Sequence, residues 1–89
     1  MPIKNPQTAS DYTYNAVEQI TKNKPDPVFT IKEVKPVFLK LCDHRLSERD
    51  VEYTIIKDSE YLPAQKAYGG SSGKNYYKRF AHGKYRFVK

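Results

Sequence analysis

Lys66, Lys74, Lys78, Arg79, Lys84, Arg86 and Lys89 are the cations of the last third of the chain, and no carboxylate stands among them. Residues 1–60 hold nine Lys/Arg against ten Asp/Glu, a balance of −1, whereas residues 61–89 hold seven and none, so the whole +6 of the chain arises there. Tyr61, Tyr68, Tyr76, Tyr77, Phe80, Tyr85 and Phe87 are interleaved with these cations. Ammonium and guanidinium groups attract phosphate, and aromatic rings stack on bases. A basic, aromatic-rich tail on a near-neutral body is therefore the pattern of a polyanion-binding edge. The plainer alternative is a well-solvated terminal hairpin.

Other reactive residues do not assemble into a site. Cys42-Asp43-His44 suggests a metal or a nucleophile, but a structural zinc needs four ligands, and the chain has one Cys and two His. Cys42 reads instead as a small buried hydrophobe at a helix end. Gly69 through Lys74 departs from a phosphate loop, with Tyr68 in place of the first glycine and Asn75 in place of Ser or Thr. Ser47 is accounted for as a helix cap, and Cys42 and His44, two apart, diverge on a helix. Glu48, Asp50 and Glu52 diverge in the same way. No catalytic residue, metal or cofactor is expected, and the chain reads as a non-enzyme.

Local patterns define the elements that must carry the basic edge. Residues 1–9, with Pro2 and Pro6, read as a flexible arm. Tyr12, Thr13, Ala16, Val17 and Ile20 predict a helix over 11–21 behind Ser10, broken by Pro25 and Pro27. Val28-Phe29-Thr30 is a short edge strand. Thr30 and Glu33 form a capping box ahead of Val34, Val37, Phe38 and Leu41, which predicts a helix over 31–42 with Pro36 as its awkward residue. A turn of about four residues leads to a second capping pattern, Ser47 with Asp50, and a third helix to about Ser59, as in a helix-turn-helix. Leu62-Pro63 ends that helix, and Gly69 to Gly73 is flexible by composition. Strands over 76–80 and 84–88 close the chain, turning at Gly83. Tyr85 and Phe87 alternate with Lys84 and Arg86, one face aromatic and one basic. The first strand leaves open whether Tyr76, Lys78 and Phe80 or Tyr77 and Arg79 point inward.

This order predicts an α+β fold over 10–89: a winged helix-turn-helix, three helices with a short strand and a C-terminal β-hairpin wing. Three segments make the chain resemble the HARE-HTH type of winged helix found beside restriction endonucleases and in some transcription and chromatin proteins. They are Phe29 to Val34, the polar turn into Ser47-Glu48-Arg49-Asp50-Val51, and Tyr77 to Phe87 around Gly83-Lys84-Tyr85. The resemblance implies binding to DNA or to partner proteins, in a freestanding module or one excised from a longer protein.

The acidic third helix complicates the usual docking of such a helix in the major groove. Residues 47–60 carry five acids against Arg49 and Lys57, a poor match to the phosphate backbone. Wing-led binding of duplex DNA follows, with Lys74, Lys78, Arg79, Lys84 and Arg86 making most phosphate contacts. Arg49, Tyr53 and Lys57, at i, i+4 and i+8, add an exposed stripe. Sequence selectivity would be weak, because phosphates carry no base information. Neutralising about four to six phosphates would give log K against log salt a slope of about −4 to −5. Reversing charge at Lys84 and Arg86 would weaken binding far more than at Lys22 and Lys24, and ion pairs from Lys84 or Arg86 to Glu52 or Glu60 would cancel the surface. Tyr76, Tyr77 or Tyr85 stacking on single-stranded nucleic acid is a variant, set against their use in the core. The rival reading is a protein-interaction module using the acidic helix. With no leader-like segment and no span of about 20 apolar residues, the expected setting is the cytoplasm, nucleoid or nucleus, away from membranes, and a regulatory role fits it.

Overall fold

The computed structural model describes residues 2–88; Lys89, counted above among the basic residues, lies outside them with Met1. Helix α1 spans Ala9–Thr21, strand β1 Val28–Thr30, helix α2 Ile31–Leu41 and helix α3 Arg49–Asp58. A short 3₁₀ helix covers Pro63–Tyr68, and strands β2 (Tyr77–Ala81) and β3 (Lys84–Phe87) follow. The fold is α+β, with four helices and one three-stranded antiparallel sheet of order β1-β3-β2 among the described residues.

Helix α1 starts earlier than its apolar repeat predicts, because Thr8, not Ser10, is the cap. Thr8 Oγ1 accepts the Asp11 amide at 3.2 Å, and Asp11 Oδ2 accepts the Gln7 and Thr8 amides at 3.0 and 3.3 Å. These bonds, that from Gln7 foremost, hold the Asp11 carboxyl below its usual range. Ser10 is thereby released for a distant partner. Upstream, Asn15 bonds both backbone groups of Ile3, accepting its amide at 2.6 Å and donating to its carbonyl at 3.0 Å.

The capping box of α2 forms as its residues predict. Thr30 Oγ1 accepts the Glu33 amide at 3.2 Å, and Glu33 Oε1 accepts the Thr30 amide at 2.9 Å. Pro36 lies inside the helix with its ring exposed, so it removes one amide donor without disturbing the buried Val34 and Phe38 face. Thr30→Ala is expected to destabilise the fold by about 1 kcal/mol, lowering Tm by about 4–8 °C, with Thr30→Ser close to wild type; calorimetry measures both.

The connection to α3 is longer than the predicted turn, covering residues 42–48. Asp43 and His44 take left-handed φ of 54° and 57°. Their amides return to the Lys40 and Leu39 carbonyls at 3.3 and 2.9 Å, closing α2 with a Schellman motif. Cys42 is buried at that C-cap, its thiol donating to the Leu39 carbonyl at 3.6 Å. The Ser47–Asp50 capping box does not form: α3 begins at Arg49, whose amide donates to Ser47 Oγ at 3.2 Å. The helix ends at Asp58, one residue short of expectation. The 3₁₀ helix was not anticipated, although Pro63 at its start and Gly69 (φ 83°) at its end are its usual punctuation.

The core joins α1, α2 and α3 to the inner face of the sheet. Phe29, Val34, Phe38, Val51, Ile55 and Tyr77 are completely buried. The Tyr77 hydroxyl is buried without a hydrogen-bond partner among the described residues. Burial, with Asp58 adding to it, pushes the phenol well above its ordinary value of 10.0. A tyrosine whose folded-state pKa is raised contributes stability that is complete below the unfolded value and is lost as pH rises above it. Tyr77→Phe removes an unsatisfied buried hydroxyl, so it is expected to raise stability by about 1 kcal/mol at neutral pH. It also flattens the loss of stability above pH 10.0, read by urea unfolding at stepped pH.

Candidate nucleic-acid interface

Strand alternation sorts the basic residues once the inward face is known. Tyr77 and Tyr85 point into the core, 0% and 2% exposed, so their neighbours Lys78, Lys84 and Arg86 project from the outer face of the sheet. Lys78 stands directly across from Arg86, which stands across from Val28; Lys84 lies between Ala81 and Thr30. Neither Lys78 nor Lys84 forms an ion pair with any described residue.

Arg86 is engaged, though not with Glu52 or Glu60. Its Nε and Nη2 donate to the two carboxylate oxygens of Asp26 at 3.0 and 3.1 Å. This fork holds the Asp26 carboxyl below its ordinary range and raises Arg86 in return. Both groups are exposed, so the bond orients the guanidinium more than it stabilises the fold. The Arg86 guanidinium also lies 5.3 Å from the centroid of the Phe80 ring.

Arg79 does not join this face. It pairs across the ladder with Tyr85 and shares its inward side, at the rim. There its Nε donates to the Ala81 carbonyl at 3.3 Å, and Nη2 lies 3.2 Å from His82 Nδ1. The residue lines a small pocket with Glu52, Ile56 and Tyr85, between α3 and the hairpin.

Lys74 is also turned away. Its Nζ donates to Ser10 Oγ at 2.6 Å, and Ser10 donates to Asp58 Oδ2 at 2.6 Å. Ser72 Oγ donates to Asp58 Oδ1 at 2.6 Å, and the Tyr76 amide donates to the Asp58 carbonyl at 2.7 Å. The Gly-Ser loop, flexible by composition, is thus fastened to the end of α3 and the start of α1. Asp58 is 2% exposed, which removes one of the five acids counted against α3 from the surface.

Along α3, Arg49, Tyr53 and Lys57 do share a stripe. Tyr53 is 43% exposed, Lys57 Nζ lies 5.5 Å from its ring centroid, and Tyr68 of the 3₁₀ helix meets it edge-on at 5.1 Å. Glu52 is exposed beside them. The expected cations therefore occupy four places: the outer sheet face, the hairpin rim, the Ser10–Asp58 network and the α3 stripe.

The tyrosines considered for stacking are committed elsewhere. Tyr77 and Tyr85 belong to the core, where Phe29 meets Tyr77 edge-on at 5.5 Å and stacks on Tyr85 at 6.0 Å. Tyr76 is half-buried, edge-on to Tyr14 at 4.6 Å. Phe80 is the exposed aromatic of the sheet, 47% accessible, and sequence reasoning did not single it out. Phe80 lies two residues beyond Lys78 and falls on the same outer face once Tyr77 points inward, at the place where the ladder register shifts between Arg79 and Ala81.

The chain matches no family model, no curated protein and no solved structure. Among the described residues, no helix is long and apolar enough to cross a membrane, and no group of His, Cys, Asp or Glu is placed to hold a metal ion.

Proposed function

We propose that this chain is a winged helix-turn-helix module that binds nucleic acid through the phosphate backbone, with the outer face of its sheet leading and with weak base selectivity. The observation that carries the reading is the set of three cations, Lys78, Lys84 and Arg86, on one exposed face whose described acid, Asp26, is spent on Arg86. The β2–β3 hairpin is the wing, and α2, its connection and α3 are the helix-turn-helix, as the HARE-HTH resemblance implies. Arg49 and Lys57 add a smaller contribution from α3. Such a module acts by occupying nucleic acid, in the nucleoid, cytoplasm or nucleus, in a regulatory and non-catalytic role.

Electrophoretic mobility shift on random-sequence DNA tests the reading. With Arg79 at the hairpin rim and Lys74 bonded to Ser10, both off the outer sheet face, about three to four phosphates are neutralised, and the expected slope of log K against log salt is about −3 to −4, shallower than the charge count alone implies. Saturable retention with that slope is the expected result. A flat salt response, or no shift at high protein concentration together with a clean protein partner in a pull-down, would instead favour a protein-interaction module using Glu48, at the N-cap of α3, and Glu52 within it.

A further inference from the structure

We propose that Phe80 is a stacking platform for an unpaired base, so that the outer sheet face prefers single-stranded over duplex nucleic acid. The inference rests on the phosphate-binding reading and adds what that face recognises.

Three observations meet at this side chain. Phe80 is 47% exposed, while Tyr77 and Tyr85 of the same sheet are buried at 0% and 2%. An aromatic ring left open on the solvent face gains nothing for the core. Alternation accounts for its placement: Phe80 lies two residues beyond Lys78 in β2 and shares its outer face, where the ladder register shifts between Arg79 and Ala81. The ring is also held among cations: the Arg86 guanidinium lies 5.3 Å from its centroid and is fixed there by both oxygens of Asp26. Lys78 flanks Arg86 across the ladder, and Lys84 lies at the neighbouring position of β3.

This combination selects its occupant by chemistry. An apolar protein partner would have to desolvate Lys78 and Lys84, which have no ion-pair partner among the described residues. A nucleic-acid strand supplies phosphates to those ammonium groups and a π-face to the ring in one ligand. A duplex keeps its base faces inside the stack and offers only edges and backbone, so it uses the lysines and leaves the ring idle. Arg86 adds a cationic, planar neighbour that is already oriented before the ligand arrives.

The test is fluorescence anisotropy with labelled oligo(dT), oligo(rU), an abasic strand of equal length, and a duplex. Phe80→Leu keeps an apolar side chain and removes the π-face. It is expected to weaken binding to oligo(dT) and oligo(rU) by about five- to a hundredfold, the range that stacking one base supplies. Abasic-strand and duplex binding should stay at wild-type strength with an unchanged salt slope, and Phe80→Tyr should restore single-strand binding. Circular dichroism and Tm establish that each variant is folded. Wild-type affinity of Phe80→Leu for both oligonucleotides, or an equal loss on the abasic strand, would overturn the stacking role and leave the phosphate reading standing. Failure of the wild-type protein to bind any of the four probes would sink the phosphate reading, and this inference with it.

Discussion

Phe29→Ala is expected to remove most of the stability of this protein. Phe29 is completely buried and faces both hairpin strands, edge-on to Tyr77 at 5.5 Å and stacked on Tyr85 at 6.0 Å. Its backbone pairs with Tyr85, and the next residue, Thr30, caps α2. One ring therefore joins the sheet to the helices. Truncating a buried phenylalanine costs about 3–5 kcal/mol through lost transfer energy and the cavity left behind. A chain of 89 residues is stabilised by about 5–13 kcal/mol in all. The loss is then a large share of the total, and the urea midpoint should fall by about 2–3 M. Phe29→Leu, which keeps most of the volume, should cost about 1.5 kcal/mol. A midpoint for Phe29→Ala within about 0.5 M of wild type would show that β1 is not a keystone of the sheet.

The largest functional effect is expected from Lys78→Glu combined with Lys84→Glu. Both side chains lie on the outer sheet face and neither is in an ion pair among the described residues, so reversing them alters the surface without breaking a structural bond. Two phosphate contacts are lost and two repulsions replace them. Affinity for nucleic acid should fall at least about tenfold, and the salt slope should become shallower by about 2. Arg86 is a poorer choice for this test than its sequence suggests, because reversing it would also strand Asp26. Lys24 is a poor control for a similar reason: its Nζ bonds the Val28 carbonyl at 3.0 Å and Glu33 at 3.3 Å. Lys22→Glu with Lys40→Glu makes the same change in net charge at two exposed positions on the helical side. An equal loss of affinity in that control would mean that binding follows net charge alone, with no role for the sheet face.

Much of the architecture was legible because its determinants are local. The Thr30–Glu33 box, the apolar spacing of Val34 and Phe38, the prolines after α1 and the Gly83 turn each act within a few residues. Capping and periodicity report such short-range preferences directly. The boundaries that shifted did so where two local choices competed. Thr8 displaced Ser10 as the cap of α1 because Asp11 stands at the position that closes its capping box, and Asp43 and His44 lengthened the turn before α3 by entering left-handed conformations.

By itself, the sequence determined that the charge of this chain is concentrated in its last third and that β3 carries aromatic and basic residues on opposite faces. Both follow from composition and the two-residue period of a strand. Only the tertiary structure decided which cations share a surface. Arg86 meets Asp26 because β1 lies beside β3, an adjacency between segments some sixty positions apart that no local preference encodes. Asp58 leaves the surface because Ser10 and Ser72 converge on it from opposite ends of the chain. Phe80 reaches solvent because the burial of Tyr77 decides which side of β2 faces the core, a choice that alternation alone leaves open. Long-range pairing, closed by the burial of Phe29, Tyr77 and Tyr85 together, converts a basic stretch of sequence into a particular face.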